Sequence, residues 1–262
     1  IAYREAKRTL VVGVKKTLKL DTCRPSADYE FALGTSCPGG CQYCYLATTL
    51  GRKPYIRVYV NVDEILSAVE AYIGKHRPSV TTFEAASTAD PLAVEHLTGS
   101  LAQTITFFGR QSYGRLRVVT KFANVDSLLD LDHQGHTKFR FSINSSYVIK
   151  TFEANTAPLA ERLAAAGKMA AAGYPLGFII APLFIYDNWQ ADYNRLLEDL
   201  ATWLKPHHPP SLSFELISHR FTARAKKVIL ERFPNTQLKM EETKRKLKWG
   251  KYPFPCEYSP IK

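Results

Sequence analysis

Short runs of β-branched and apolar residues recur at 29–35, 79–86, 116–121, 138–144, 176–182 and 212–217. Longer stretches between them return their apolar residues every three or four positions. Strand-length runs alternating with helical periodicity predict a parallel sheet built from β-α units. The clearest helix is Val62–His76, with Ile65, Leu66, Val69 and Ile73 on one stripe. Segments 92–108, 159–172 and 188–204 follow the same spacing, and the alanines of 159–172 permit close approach to a sheet. A further strand is predicted at 9–16, ahead of the first unit. Six units predict an α/β fold, a partial (β/α)6 barrel open on one side. Residues 1–28 then form an N-terminal extension with one strand, 29–235 the barrel, and 236–262 a small basic C-terminal hairpin or tail.

Composition narrows this picture. With 262 residues, 45% of them hydrophobic, the chain is long enough for one well-packed barrel-like domain. Its most apolar stretch, 176–186, is too short to span a bilayer and contains Pro182, so no membrane association is expected. Five cysteines without paired spacing do not form a secreted disulfide framework, and a cytoplasmic, reducing location is expected. The chain carries 35 Lys and Arg against 24 Asp and Glu, a net charge of +11. Much of the excess falls late, at Arg224, Lys226, Lys227, Arg232, Lys239 and the run from 244 to 251. That distribution suits a polyanionic partner, held through phosphate contacts that carry no sequence information.

Three of the cysteines carry the chemistry. Cys37, Cys41 and Cys44 form Cys-x3-Cys-x2-Cys, three thiols within eight residues and no fourth. Iron–sulfur clusters are normally held by four cysteines, so a 4Fe–4S cubane held by three leaves one iron open to a small molecule. Zinc sites usually pair two half-sites. The zinc alternative needs His207, His208 or His219 as fourth ligand and describes a nucleic-acid-binding module without catalysis. The cysteine loop follows the first predicted strand, and in β-α barrels chemistry gathers at the C-terminal strand ends. Polar residues stand at those ends: Glu84, Ser87 and Asp90, then Lys121, then Ser142 and Asn144, then Glu215, His219 and Arg220.

The cysteine spacing, with Tyr43 inside it, resembles the signature of the radical S-adenosylmethionine enzymes. In these the open iron chelates S-adenosylmethionine, and reductive cleavage releases a 5′-deoxyadenosyl radical. Stretches 8–16, 37–60, 115–121, 138–144, 173–182 and 214–222 make the chain similar, more narrowly, to the spore photoproduct lyase family. The resemblance implies a radical S-adenosylmethionine barrel and repair of the methylene-bridged thymine dimer of spore DNA. It implies Cys37, Cys41 and Cys44 as ligands of one 4Fe–4S cluster. Tyr43, Asp90, Lys121, Ser142 and Asn144 would bind S-adenosylmethionine, and Tyr43 and Tyr45 would lie on the route returning a hydrogen atom to it. Lys251 and Tyr252 would wedge into DNA beside the lesion. Damaged DNA and an electron donor such as flavodoxin or ferredoxin are the implied partners, in a bacterial spore or germinating cell.

The sequence departs from the family at one position. The family places a cysteine after Glu-Ala-Ala, and its weak S–H bond quenches the substrate radical; here the residue is Ser87. An O–H bond is too strong for that transfer, so clean return to two thymines is expected to be slow or diverted. Replacing Ser87 by cysteine is expected to restore it. Cys256 is the unassigned thiol near the expected hairpin, in a tail, Pro253-Phe254-Pro255-Cys256, that also departs from the family. A radical S-adenosylmethionine enzyme with a different nucleic-acid or small-molecule substrate is the alternative these departures leave.

Overall fold

The computed structural model describes residues 2–85 and 87–242, together with the backbone of Arg245–Lys248 and Tyr252–Pro255. Six strands run parallel and in chain order: β1 (Tyr29–Glu30), β2 (Thr81–Glu84), β3 (Gly114–Thr120), β4 (Thr137–Ile143), β5 (Leu176–Leu183) and β6 (Leu212–Ser218). A seventh strand, Asp21–Thr22, runs antiparallel on the outer edge of β1. The sheet curls into a half-barrel, as the six predicted units require.

Strand alternation separates the two faces of this sheet. Leu116 and Val118 on β3, Phe139, Phe141 and Ile143 on β4, and Phe178 and Ile180 on β5 are buried in one core. They meet Ile65, Val69 and Ile73 of helix Val62–His76, Ile105 of Ser100–Gly109 and Met169 of Leu159–Ala171. Each such side chain withdrawn from water contributes about 1.5–3 kcal/mol, which fixes the strand register. The alternate positions, Glu84, Arg117, Lys138, Arg140, Ser142 and Glu215, consequently face the other way, into the concavity. Helix Val62–His76 begins with Asp63 and Glu64 and ends with Lys75 and His76, which suits its dipole.

Three expectations need correction. The predicted strand 29–35 divides: β1 stays in the half-barrel, while Gly34–Thr35 pairs antiparallel with Ile56–Tyr59 in a separate sheet. Gly34 permits the crossing, because a Cβ there would overlap the Arg57 carbonyl. The strand expected at 9–16 shortens to Leu10–Gly13, whose partner in that sheet is the unforeseen Ile56–Tyr59. The single helix expected at 92–108 breaks into a 3-10 turn, Pro91–Val94, and helices Glu95–Thr98 and Ser100–Gly109. Gly99 adopts φ +62°, and the Glu95 carboxylate accepts from the N–H groups of Leu101 (2.8 Å) and Ala102 (2.9 Å), capping the second helix.

Helix Ala223–Arg232 and the segment after it close the cysteine-loop side of the barrel. Ile229, Leu238 and Met240 pack with Val148, Phe152 and Phe184, and Tyr43 lies against this cluster. The late positive charge is partly neutralised, since Lys226 pairs with Glu242 at 3.1 Å and Lys239 with Asp187 at 3.8 Å. Arg245–Lys248 and Tyr252–Pro255 pair antiparallel in backbone. Lys251 and Cys256 lie outside the described residues, as does the Tyr252 side chain. Among the described residues no helix is long and apolar enough to cross a membrane.

Candidate active site

The cysteine loop is anchored on both flanks. Ser36, at φ +69°, turns the chain out of Gly34–Thr35, with its N–H on the Thr88 carbonyl (2.8 Å) and its hydroxyl on that of Pro54 (2.9 Å). Gly40–Cys41 pairs antiparallel with Glu153–Ala154. Gln42 bonds through its N–H to the Phe152 carbonyl (2.9 Å), through its side-chain amide to that of Thr151 (3.2 Å), and accepts from the Thr236 hydroxyl. Cys44 is the N-cap of the short helix Tyr45–Thr49.

Among the described residues, no three His, Cys, Asp or Glu side chains are gathered closely enough to hold a metal ion. The donor chemistry nevertheless fits an iron–sulfur cluster. Burial is the main cause that pushes the Cys41 thiol up to about 12 and Cys37 well above the ordinary range, against the pull of Lys121 and Lys7 respectively. Burial penalises the bare thiolates, and a metal centre would remove that penalty because its positive charge deprotonates a coordinating thiol outright. The Gly39 N–H already points at Cys37 Sγ, 3.3 Å away. His207, one of the histidines the zinc alternative would need, is engaged elsewhere: its ring stacks on Trp203 with centroids 4.6 Å apart and its Nδ1 lies 2.7 Å from the Trp203 carbonyl.

Beside the loop, the predicted residues Tyr43 and Lys121 converge on a carboxylate that the sequence reading missed, and Ser142 joins them through Lys121. Glu153 is fully buried and accepts from Lys121 Nζ (2.9 Å), Arg162 Nη2 (2.7 Å) and the Tyr43 hydroxyl. Lys121 also reaches Ser142 Oγ (2.7 Å), and its ammonium lies 5.6 Å from the centre of the Tyr43 ring. Burial raises the Glu153 carboxyl, but Lys121 and Arg162 together pull it below its ordinary value. Arg162 satisfies its remaining donors on the Ser142 and Ala157 carbonyls and on Thr156 Oγ1. Asp90 stands next to this group, accepting from Thr120 Oγ1 (2.9 Å) and the Lys121 N–H (3.0 Å), and burial raises it to about 6.

Asn144 is placed differently. Its Oδ1 accepts from Ser145 N and Tyr193 OH and its Nδ2 donates to the Pro182 carbonyl, which ties the end of β4 to β5. Glu84 and Glu215 are joined by Arg140, another residue unmarked in the sequence reading. Arg140 Nη1 lies 2.7 Å from Glu215, and Nη2 bonds Glu84 and, at 2.6 Å, Ser26 Oγ. Alternation along β4 was the available signal for Arg140, since it shares a face with Ser142.

Ser87 sits past the end of β2. Its carbonyl accepts from the Tyr45 hydroxyl, and its Oγ lies 3.4 Å from Cys23 Sγ. Cys23 begins a turn that folds against the concave face. Ser26 Oγ reaches Glu84 (3.2 Å), Arg117 bonds the Ser26 carbonyl, and Asp28 accepts from Thr82 N (3.0 Å) and Thr82 Oγ1 (2.8 Å).

Known proteins resemble this chain over most of its length. The family profile for spore photoproduct lyase matches residues 1–257. A spore photoproduct lyase from Geobacillus sp. (strain Y412MC61) is 54% identical over 250 residues, covering 95% of this chain and 73% of that protein. The one from Bacillus subtilis (strain 168) is 52% identical over 250 residues, with the same shares covered. Among solved structures, a spore photoproduct lyase double mutant with bound AdoMet and dinucleoside spore photoproduct superimposes with a TM-score of 0.94 at 52% identity. It covers 98% of this chain and 76% of that one.

Proposed function

Because the chain belongs to the spore photoproduct lyase family, we propose that the loop at Cys37, Cys41 and Cys44 and the Glu153-centred group beside it work as the cofactor site of a lesion-opening enzyme. The chain is a radical S-adenosylmethionine carbon–carbon lyase of DNA repair, which returns spore photoproduct to two thymines. The alternatives of a zinc module and of a different substrate give way to this match.

Cys37, Cys41 and Cys44 would hold one 4Fe–4S cluster, which together with S-adenosylmethionine would supply the radical chemistry that opens the lesion. The chain's own residues do the rest. Lys121 and Ser142, already joined at 2.7 Å, present an ammonium and a hydroxyl to the carboxylate of S-adenosylmethionine. Glu153, itself held by Arg162, aims the Lys121 ammonium, and Tyr43, clamped on Glu153, borders the nucleoside. Asp90 fixes the Lys121 backbone, and Asn144 sets the spacing of β4 and β5 through Pro182 and Tyr193. Tyr45, on the Ser87 carbonyl, stands between the cysteine loop and the end of β2, where a returning hydrogen atom must pass.

The partner is DNA carrying the lesion. A dinucleotide in a duplex is out of reach of a barrel interior, so it must flip out, and damage lowers that barrier. Arg117 and Lys138 on the concave face and Arg224 and Lys227 on helix Ala223–Arg232 are placed for flanking phosphates. Lys251 and Tyr252 wedge beside the lesion, and an electron donor of flavodoxin or ferredoxin type reduces the cluster in the cytoplasm. The observation that carries this reading is the meeting of Tyr43 and Lys121 on one buried carboxylate paired in the sheet with Cys41, with Ser142 bonded to the same ammonium. Protein reconstituted anaerobically and reduced with S-adenosylmethionine and dinucleoside spore photoproduct should yield 5′-deoxyadenosine together with thymine dinucleotide. Absence of lesion-dependent 5′-deoxyadenosine from iron-loaded protein would refute it.

A further inference from the structure

Once the methylene bridge opens, a radical remains on one thymine methyl carbon and has to receive a hydrogen atom. Ser87 is poorly equipped to supply it, because its O–H bond is stronger than the methyl C–H bond to be formed. A thiol S–H is weak enough, and the thiols of Cys37, Cys41 and Cys44 are committed to the cluster in the reading above. We propose that Cys23 is the hydrogen-atom donor of this enzyme, its thiol replacing the function that Ser87 cannot perform. The inference rests on the lyase reading of the site.

Four observations carry it. Cys23 Sγ lies 3.4 Å from Ser87 Oγ, so a methyl radical presented at Ser87 is within one side chain of the sulfur. The turn that bears Cys23 is fixed by bonds from Ser26 and Asp28 to Glu84, Arg140 and Thr82, which hold the thiol against the concave face. Cys23 is half-buried, open enough to meet a flipped base. Tyr45, whose hydroxyl bonds the Ser87 carbonyl, adjoins the same spot. Burial first, and Glu30 after it, raise the Cys23 thiol and keep its proton in place, although the Ser87 hydroxyl opposes this. A hydrogen atom must carry that proton with its electron.

The step balances. The Cys23 S–H bond breaks homolytically, its hydrogen atom forms the third C–H bond of the thymine methyl, and a thiyl radical stays on sulfur. The thiyl then takes the hydrogen atom of the Tyr45 hydroxyl, which restores the thiol and passes the unpaired electron to the tyrosine on the route back to 5′-deoxyadenosine.

The test compares parent, Cys23→Ser and Cys23→Ser/Ser87→Cys proteins in D2O with dinucleoside spore photoproduct. The parent should place one deuterium in the product methyl. Cys23→Ser should keep lesion-dependent 5′-deoxyadenosine formation, which shows that it is folded and loaded, and lose thymine dinucleotide in favour of quenched side products. The double variant should regain thymine dinucleotide with the deuterium label. Thymine dinucleotide formed by Cys23→Ser at the parent's rate overturns the inference and leaves the lyase reading intact. A parent that makes no lesion-dependent 5′-deoxyadenosine overturns both. A readout independent of turnover is alkylation of Cys23 in the cluster-free protein, followed by mass spectrometry. Saturating dinucleoside spore photoproduct should slow it, and unchanged alkylation counts against the placement.

Discussion

Two corners of the same barrel mouth are built on opposite plans. Around Glu153 the carboxylate has three partners and Arg162 is bonded through all its donor nitrogens. Around Ser87 the contacts are few: one sulfur–oxygen approach of 3.4 Å and one tyrosine hydroxyl on a carbonyl. The first corner is tied by many bonds and holds its geometry while Lys121, with two partners, keeps a donor for a charged cofactor, as a site that orients one must. The second leaves a half-buried thiol held only by the weak approaches of Ser87 and Glu30, which is what a group that gives away its hydrogen needs. Rigidity and reactivity are thus separated between the ends of β3 and β4 on one side and β2 on the other.

The strongest way to break this contrast is at the rigid corner. Glu153→Ala leaves two cations facing a buried void, and we expect a loss of about 3–5 kcal/mol in urea unfolding. Glu153→Gln sharpens the same point through pH. The folded carboxyl is held below its ordinary value, so its contribution is complete above the ordinary carboxylate range and disappears as pH falls through the lowered one. The gap between parent and Glu153→Gln should therefore close on acidification. Lys121→Met should weaken S-adenosylmethionine binding in equilibrium dialysis by about 1.5–3 kcal/mol, the scale of a charged hydrogen bond. At the looser corner the effects are smaller. Asp28→Ala, which frees the Cys23 turn from Thr82, should lower stability by about 1–1.5 kcal/mol in thermal unfolding. Tyr45→Phe should change stability by about 0.5–1 kcal/mol, while more S-adenosylmethionine is consumed per dinucleotide repaired.

Legibility in the sequence follows the same division. The strands of the half-barrel were readable as short runs of apolar and β-branched residues set between helical stretches, and Val62–His76 because its stripe and charged ends agree. Ile56–Tyr59 was missed although Ile56 and Val58 alternate with polar neighbours, because its partner, Leu10–Gly13, lies far back in the chain. Glu153 and Arg162 were invisible for a related reason. They sit in and beside a helix, nine residues apart, and acquire meaning only when Gly40–Cys41 pairs with Glu153–Ala154. Cys23 and Ser87, 64 positions apart, were each read alone, and no spacing rule links a turn at the sheet edge to the end of β2. What the motif alone carried was the trio Cys37, Cys41 and Cys44.

The bonds of Gln42 to Thr151, Phe152 and Thr236 have a consequence for how the protein comes into being. Small zinc modules are commonly unfolded until their ion arrives. Here the loop bearing the sulfur donors is moored to two neighbouring segments by the polypeptide itself. The polypeptide's own bonds, and not a metal alone, therefore hold the sulfur-bearing loop in register with its neighbours.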